Sequence, residues 1–298
     1  MPRTIVITGC STGFGYLAAL RFARQGDRVY ATMRGVDGKN QEAAGALRSA
    51  AADEGIDVRV LEMDVTSDAS VNAAAEIVLS ESGAPDAVFN NAGQMYVGLT
   101  EAFTADELAR QLDVNVVGVH RVSRAFLPAM REKGDGLIIN VSSVAGRMGM
   151  PFFGVYHASK WGVEGYSLGF RTELASSGVD LVVVEPGPFS TELFPRSPAP
   201  SDPDDRASSY PAALHQANEA MGAAFQEMFE GDEVDTDPDR VVDRFVELVD
   251  MAPGTRPFRS VVGFDFGVVN PMNDAAKPFY GQLLEAMGMT EVATLRPS

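Results

Sequence analysis

The feature that most constrains this chain is a short apolar run followed at once by a glycine-spaced turn and an amphipathic segment. Thr4-Ile5-Val6-Ile7 is largely β-branched and ends at a turn signal, so it reads as a buried strand. Thr8-Gly9-Cys10-Ser11-Thr12-Gly13-Phe14-Gly15 comes next. Tyr16 to Gln25 then carries Leu17, Leu20 and Phe22 at helical spacings, with Gly26 as a C-terminal stop. Strand, glycine loop and helix in that order form the setting of a dinucleotide site. Glycines let the backbone approach a pyrophosphate closely, and the helix N-terminus offers free N–H groups and a partial positive charge. A merely tight strand-to-helix turn is the plainer alternative.

The same alternation continues. Strands are predicted over Arg28 to Thr32, Val58 to Met63, Ala87 to Phe89, Leu137 to Val141, Leu181 to Val184 and Ser260 to Val262. Between them lie helical segments. Asn40 to Ala52 is alanine-rich, and Asp68 to Ser80 sets Val71, Ala75 and Val78 on one face. Thr104-Ala105-Asp106-Glu107 is a capping box that opens one long helix towards Met130. Alternating β and α elements imply an α/β fold, a parallel sheet of about seven strands with helices on both faces. Pro195 to Ser209 is rich in Pro, Ser and Asp and lacks a period, and a helix from about Ala212 to Phe229 follows it. We read residues 188–230 as a lid over the substrate, inside a single domain spanning residues 1–298. Asp237-Pro238 opens a helix to about Val249 with proline at its first position. Pro271 and Pro278 break the tail, residues 263–298, for which no element is predicted.

Composition removes several classes of function. Over 298 residues the formal net charge is −17, which opposes binding to a phosphate backbone, so no nucleic-acid partner is expected. No apolar stretch approaches the ~20 residues of a membrane span. Met1-Pro2-Arg3 leads directly into the first strand, leaving no room for a signal peptide. The one cysteine, Cys10, fits a reducing cytoplasm and reads as a small packing residue rather than a reactive thiol. Three scattered histidines, His120, His157 and His215, show no metal-ligand spacing, and no metal is expected.

Tyr156-His157-Ala158-Ser159-Lys160 sets a phenol and an ammonium on one helical face, since residues four apart stack. A phenol titrates near pH ~10, and a neighbouring ammonium that stabilises the phenolate would make it a usable acid/base. Taken alone the pair could be a solvated helix contact. Together with Thr8-Gly9-x-x-x-Gly13-x-Gly15, Asn90-Asn91-Ala92-Gly93, Asn115, Ser142-Ser143 and Pro186-Gly187, it resembles the short-chain dehydrogenase/reductase family over roughly Ile5 to Val262. Val29 to Arg34 and Val184 to Pro188 are similar to the steroid- and retinoid-handling branch.

That resemblance implies a Rossmann-type, doubly wound domain and an oxidoreductase acting on a carbonyl or secondary alcohol. Tyr156 would be the acid/base and Lys160 its pKa-lowering partner, which also bonds the nicotinamide ribose. Ser143 would hold the substrate oxygen, with Ser142 the lesser candidate, and Asn115 would anchor a relay water. Cofactor contacts are implied at Gly9, Ser11, Thr12, Gly13, Phe14 and Gly15 in the glycine loop, and at Asp64 and Val65 after the third strand. Asn91, Ala92 and Gly93, then Pro186, Gly187, Phe189 and Thr191, complete them. Members usually associate through the helices carrying Asn115 and Tyr156, so a homodimer or homotetramer is implied.

The cofactor can be argued from charge. An acidic residue ending the second strand would bond a ribose 2′-hydroxyl, whereas arginine accommodates a 2′-phosphate. This strand ends Tyr30-Ala31-Thr32-Met33-Arg34, and Asp37 lies further into the loop. NADP(H) is therefore favoured, with NAD(H) possible. Candidate pocket residues, Gln94 to Tyr96, Met148 to Phe153 and Phe189 to Phe194, are mostly apolar and suit a hydrophobic ketone or alcohol. Two other readings remain. One is a non-catalytic dinucleotide sensor or scaffold on the same fold. The other is an extended-type epimerase or dehydratase, disfavoured by the three residues between the first two glycines of the motif.

Overall fold

The computed structural model describes residues 2–202 and 206–295. Seven parallel strands form one sheet in the order β3-β2-β1-β4-β5-β6-β7. They are β1 (Thr4–Thr8), β2 (Arg28–Met33), β3 (Val58–Glu62), β4 (Ala87–Asn90), β5 (Gly136–Val141), β6 (Val179–Pro186) and β7 (Arg259–Val262). Side chains alternate strictly across the sheet. Ile5 and Ile7 face one apolar core while Val6 between them faces another, and Leu137 and Ile139 flank Ile138 in the same way.

The first core is covered by α1 (Gly13–Arg24), α2 (Gln41–Glu54) and α8 (Asp239–Asp250), through Phe22, Leu47 and Phe245. The second is covered by α3 (Asp68–Ser82), α5 (Gly118–Lys133) and α6 (Gly154–Ala175), through Val78, Phe126 and Leu174. A sheet buried on both faces explains why its strands are almost wholly apolar. Helix α1 begins at Gly13, three residues before the position expected from side-chain periodicity, because the glycines themselves form its first turn.

Two expectations are corrected. The helix opened by Thr104 is not continuous. Thr104 and Glu107 form the predicted capping box on α4 (Ala105–Leu112), but Asp113–Val117 winds as a π turn before α5. The tail is not irregular either, since α9 (Val269–Ala286) runs through both prolines. Pro271 lies in the first turn, where an N–H has no intrahelical partner, so only Pro278 forfeits a ladder bond. Val269 is buried, and the Tyr280 hydroxyl, which donates to the Leu168 carbonyl at 3.2 Å, ties the helix to α6. Pro238 caps α8 rather than occupying its first position. Helix α7 (Ala212–Glu230) has no fully buried residue, yet Leu214, Met221 and Phe225 pack on Met95, Phe153 and Tyr156.

Polar residues cross the second core at one place. Asn90 and Asn140 pair in register on β4 and β5, and the Asn90 amide donates to Ser123 Oγ at 3.1 Å and Asn140 Oδ1 at 2.8 Å. Asn140 in turn donates to Ser167 Oγ at 2.9 Å. These bonds fix α5 and α6 against the sheet below the catalytic edge. Asn140→Ala leaves buried partners unsatisfied, so thermal denaturation is expected to show a loss of about 1–3 kcal/mol. A loss below about 0.5 kcal/mol, the range of an inert surface change, would refute that assignment.

Candidate active site

β1 is flanked by β2 on one side and β4 on the other. The loops that leave β1 and β4 therefore diverge, and a crevice opens at the carboxyl edge of the sheet between them. Thr8 pins its floor. Its Oγ1 donates to the Phe89 carbonyl at 3.1 Å and accepts from the backbone N–H groups of Asn91 at 3.0 Å and Ala92 at 2.9 Å. The Asn91 amide donates back to the Thr8 carbonyl at 2.8 Å. Gly9 sits at φ +73°, and a Cβ there would lie 2.7 Å from Ala92 Cα. Only glycine allows these two chains to close.

The crevice has a volume of about 700 Å³. Its walls include Gly9, Ser11, Thr12, Gly13, Phe14, Arg34, Asp64, Val65, Asn91, Ala92, Gly93, Ser142, Ser143, Tyr156, Lys160, Pro186, Gly187, Phe189 and Thr191. The structure thus brings nearly every sequence-selected residue to one cavity. Two stand outside its wall. Gly15 is a packing position, where a Cβ would meet the Asn91 amide at 2.5 Å. Asn115 lies in the π turn, and its amide is committed to the loop beside it: Nδ2 donates to the Gln94 carbonyl at 2.9 Å and to Ser159 Oγ at 3.0 Å, while Oδ1 accepts from Gln94 N–H at 2.9 Å.

At one end, the first turn of α1 faces the cavity with no side-chain cap from Thr12 and no acidic residue. Beyond it lie Arg34 and Lys39, neither of which forms an ion pair among the described residues. Burial lowers the Lys39 pKa, and the neighbouring Arg34 charge lowers it further. The Asp64 and Glu62 charges act on Lys39 in the opposite direction. Glu62, the nearest strand-end carboxylate, is consumed by the backbone N–H groups of Gly35 and Val36, each at 2.8 Å. Asp37 is not in the wall. Asp64 stays below the ordinary carboxylate range although burial pushes it upward, because Thr66 donates to it from both backbone and hydroxyl, the latter at 2.7 Å. Cys10 packs under the loop with its thiol donating to the Ile7 carbonyl at 3.2 Å, and burial pushes that thiol up.

At the other end, β5 delivers Ser143 and α6 delivers Tyr156 and Lys160. Ser143 Oγ donates to the Pro186 carbonyl at 3.3 Å and accepts from Ala145 N–H at 3.1 Å, and Tyr156 shares the cavity wall with it. Lys160 Nζ donates to the Val141 carbonyl at 2.8 Å and lies 5.7 Å from the Tyr156 ring centre. With the phenol protonated, Lys160 is not among the groups that shift it. Burial pushes Tyr156 up to about 12, and the counterweight is the neighbouring Ser143 hydroxyl. Burial pulls Lys160 down to about 8, with the Glu164 charge acting against it.

Apolar groups close the remaining wall. Met95, Met148, Met150, Phe153, Leu193 and Phe194 come from the segments selected by sequence, whereas Tyr96 turns away to stack on Phe103. Phe225, tilted against Phe194, Phe229, edge-on to it, and His157 were missed. The first two were signalled by Met221, Phe225 and Phe229 at four-residue spacing on α7. His157 is neutral by its bonding pattern. Nδ1 donates to the Ala145 carbonyl at 2.7 Å, and Nε2 accepts from Met150 N–H at 2.9 Å.

Comparison with known proteins agrees with this geometry. The family model for short chain dehydrogenases matches residues 3–201. The chain is 40% identical over 190 residues to a 3-ketodihydrosphingosine reductase of Bacteroides thetaiotaomicron, covering 64% of this chain and 65% of that protein. It is 43% identical over 200 residues to human 17-beta-hydroxysteroid dehydrogenase type 1, covering 65% and 59%. The chain thus spans somewhat less than two thirds of the length of these relatives. A crystal structure of a short-chain dehydrogenase from Streptomyces avermitilis superposes with a TM-score of 0.74 at 28% identity, over 97% of this chain and 98% of that one. The chain belongs to the short-chain dehydrogenase/reductase family, on the branch that holds steroid and retinoid dehydrogenases.

Proposed function

We propose that this protein is an NADP(H)-dependent oxidoreductase that interconverts a carbonyl and a secondary alcohol on a hydrophobic small molecule. The observation that carries the reading is that Ser143, Tyr156 and Lys160 share the wall of the cavity that the glycine loop floors. The residues present fit a dinucleotide. The cradle at Gly9 has no room for a Cβ, the α1 N-terminus is uncapped, and the cations at Arg34 and Lys39 suit a 2′-phosphate. Thr191 stands opposite Gly13, its Cβ 3.6 Å from where a Gly13 Cβ would be, and so covers the same stretch.

When bound, the cofactor supplies the hydride. The chain's own residues manage the proton. The Ser143 hydroxyl, which donates to the Pro186 carbonyl in the free site, turns with that of Tyr156 to donate to a carbonyl oxygen as negative charge develops on it. Tyr156 then gives up its proton, and the Lys160 ammonium stabilises the phenolate left behind. Asn115 acts through the loop it holds, fixing Gln94 and Ser159 beside the site. Residues 188–202 and 206–230, carrying Phe194, Phe225 and Phe229, serve as a lid that excludes water and selects apolar substrates, and 203–205 of the expected lid lie outside the described residues.

Tyr156→Phe removes the proton donor and is expected to lower the rate of carbonyl reduction about 10²–10⁴-fold, with cofactor affinity retained in fluorescence titration. An unchanged rate would overturn the mechanism. Reversing the charge at Arg34 or Lys39, as Arg34→Asp or Lys39→Glu, should cut the ratio of NADPH to NADH affinity at least about tenfold, or ~1.4 kcal/mol. A ratio that stays constant would remove the 2′-phosphate assignment. The pH dependence follows from Lys160. Its charged form holds the phenolate, and that form is present below about 8 and lost above it. The rate of reduction at saturating substrate should therefore fall as pH rises through that region, and a flat profile to pH ~10 would contradict the role.

A further inference from the structure

Behind Lys160, on the side away from the cavity, lies a buried acidic pair that the proposed chemistry does not use. Glu164 is one helical turn beyond Lys160 on α6, and Glu185 is the residue before Pro186-Gly187 on β6. They are 2% and 0% exposed. One cation serves both: Arg259 Nε on β7 donates to Glu164 Oε2 at 2.8 Å and lies 3.5 Å from Glu185 Oε1. Glu185 Oε2 accepts from the Asn273 amide of α9 at 2.6 Å. The remaining oxygens, Glu164 Oε1 and Glu185 Oε1, are fully buried and have no hydrogen-bond donor. Yet both carboxyl groups crowd the same guanidinium nitrogen, at 2.8 and 3.5 Å, which sets them side by side.

Two ionised carboxylates cannot share such a site against a single guanidinium, since each would face the other's charge without solvent. One proton placed between them satisfies both orphaned oxygens at once. We propose that Glu164 and Glu185 share one proton across the back of the site, and that the single negative charge remaining on the pair positions the Lys160 ammonium. Glu164 keeps the charge because Arg259 is closer to it. Glu185 carries the proton on Oε1 and donates to Glu164 Oε1. Burial, and then the Glu164 charge, push Glu185 well above the ordinary carboxylate range, in keeping with that assignment.

The groups facing the pair come from every neighbouring element. They are Lys160 on α6, Arg259 on β7, Asn273 on α9, and Ser142, which closes on Gly146 opposite Glu164. Asn273 also accepts from Arg147 Nε at 2.7 Å, so the pair is latched to the loop that follows Ser143. With Arg259 and Lys160 positive and one negative charge on the pair, the cluster is left at +1, and ionising Glu185 would hold Lys160 protonated more strongly.

The proton sharing stands on this geometry alone, whereas the importance of Lys160 for turnover rests on the function proposed above. Infrared spectroscopy of the protein without cofactor at pH 7 should show a protonated carboxyl stretch that disappears in E185Q. Its absence from the unmutated protein would overturn the proposal. Nitrogen-15 NMR of the Lys160 side chain should show its titration moving to lower pH in E164Q by about one pH unit, a tenfold loss of proton affinity. A Lys160 titration that does not move would overturn the positioning role. Should E164Q fail to fold, E164D withdraws the carboxylate by one methylene and is read in the same way, with a smaller shift in the same direction expected. Neither measurement needs turnover. If the shifts appear while no carbonyl compound is reduced, the functional reading falls and the shared proton remains.

Discussion

The close approach of the Gly9 backbone to Ala92 governs this structure. The two segments leave adjacent parallel strands and would splay apart, but Thr8 and Asn91 sew them together with side-chain-to-backbone bonds. A Cβ at residue 9 would collide with the Ala92 backbone. Everything that makes the crevice a binding site depends on that seam, because it sets where the α1 N-terminus points and how far the loop after β4 stands from β5. The seam also explains why polar side chains with short arms occupy this edge. A Thr hydroxyl can donate once and accept twice at the junction of three backbone segments.

Charge is distributed with the same economy. The protein is strongly acidic, and most arginines on its surface are matched with carboxylates, as Arg21 is with Asp239 and Asp243. Such exposed pairs contribute little to stability. Arg34 and Lys39 form no ion pair among the described residues, although the Asp64 and Glu62 charges act on Lys39, and Lys160 is buried with only a carbonyl to donate to. In a low-dielectric wall the Lys160 charge is sensitive to every neighbour, so its setting belongs to the whole surround of β5, α6, β6 and β7.

Much of this could be read from the chain because the local rules point one way. The β-branched runs and glycine positions specify the strands and the first loop, and four-residue spacing places Tyr156 with Lys160. Other features depend on contacts between distant segments. Lys39 looked like any loop lysine, and only folding of the β2–α2 connection brings it beside Arg34. Local propensity made Pro271 and Pro278 helix breakers, whereas burial of Val269 and the anchoring of Tyr280 on α6 override it. The π turn left no signal, since Asp113 to Val117 continues a helical pattern. Glu164 and Glu185 are far apart in the chain, and nothing in either local sequence announces that they meet.

The π turn has its own bearing on how this fold can vary. It inserts extra backbone into what is otherwise one rod, and the surplus swings Asn115 inward to grip Gln94 and Ser159. Removing a single residue between 113 and 117 would close the wide turn to a regular one and leave the rod beyond it in the same phase. Val122, Phe126 and Met130 would keep the core they fill, whereas the inward swing of Asn115 would be lost. The widened turn is thus a local slack, which aims one asparagine without disturbing the apolar stripe that follows it.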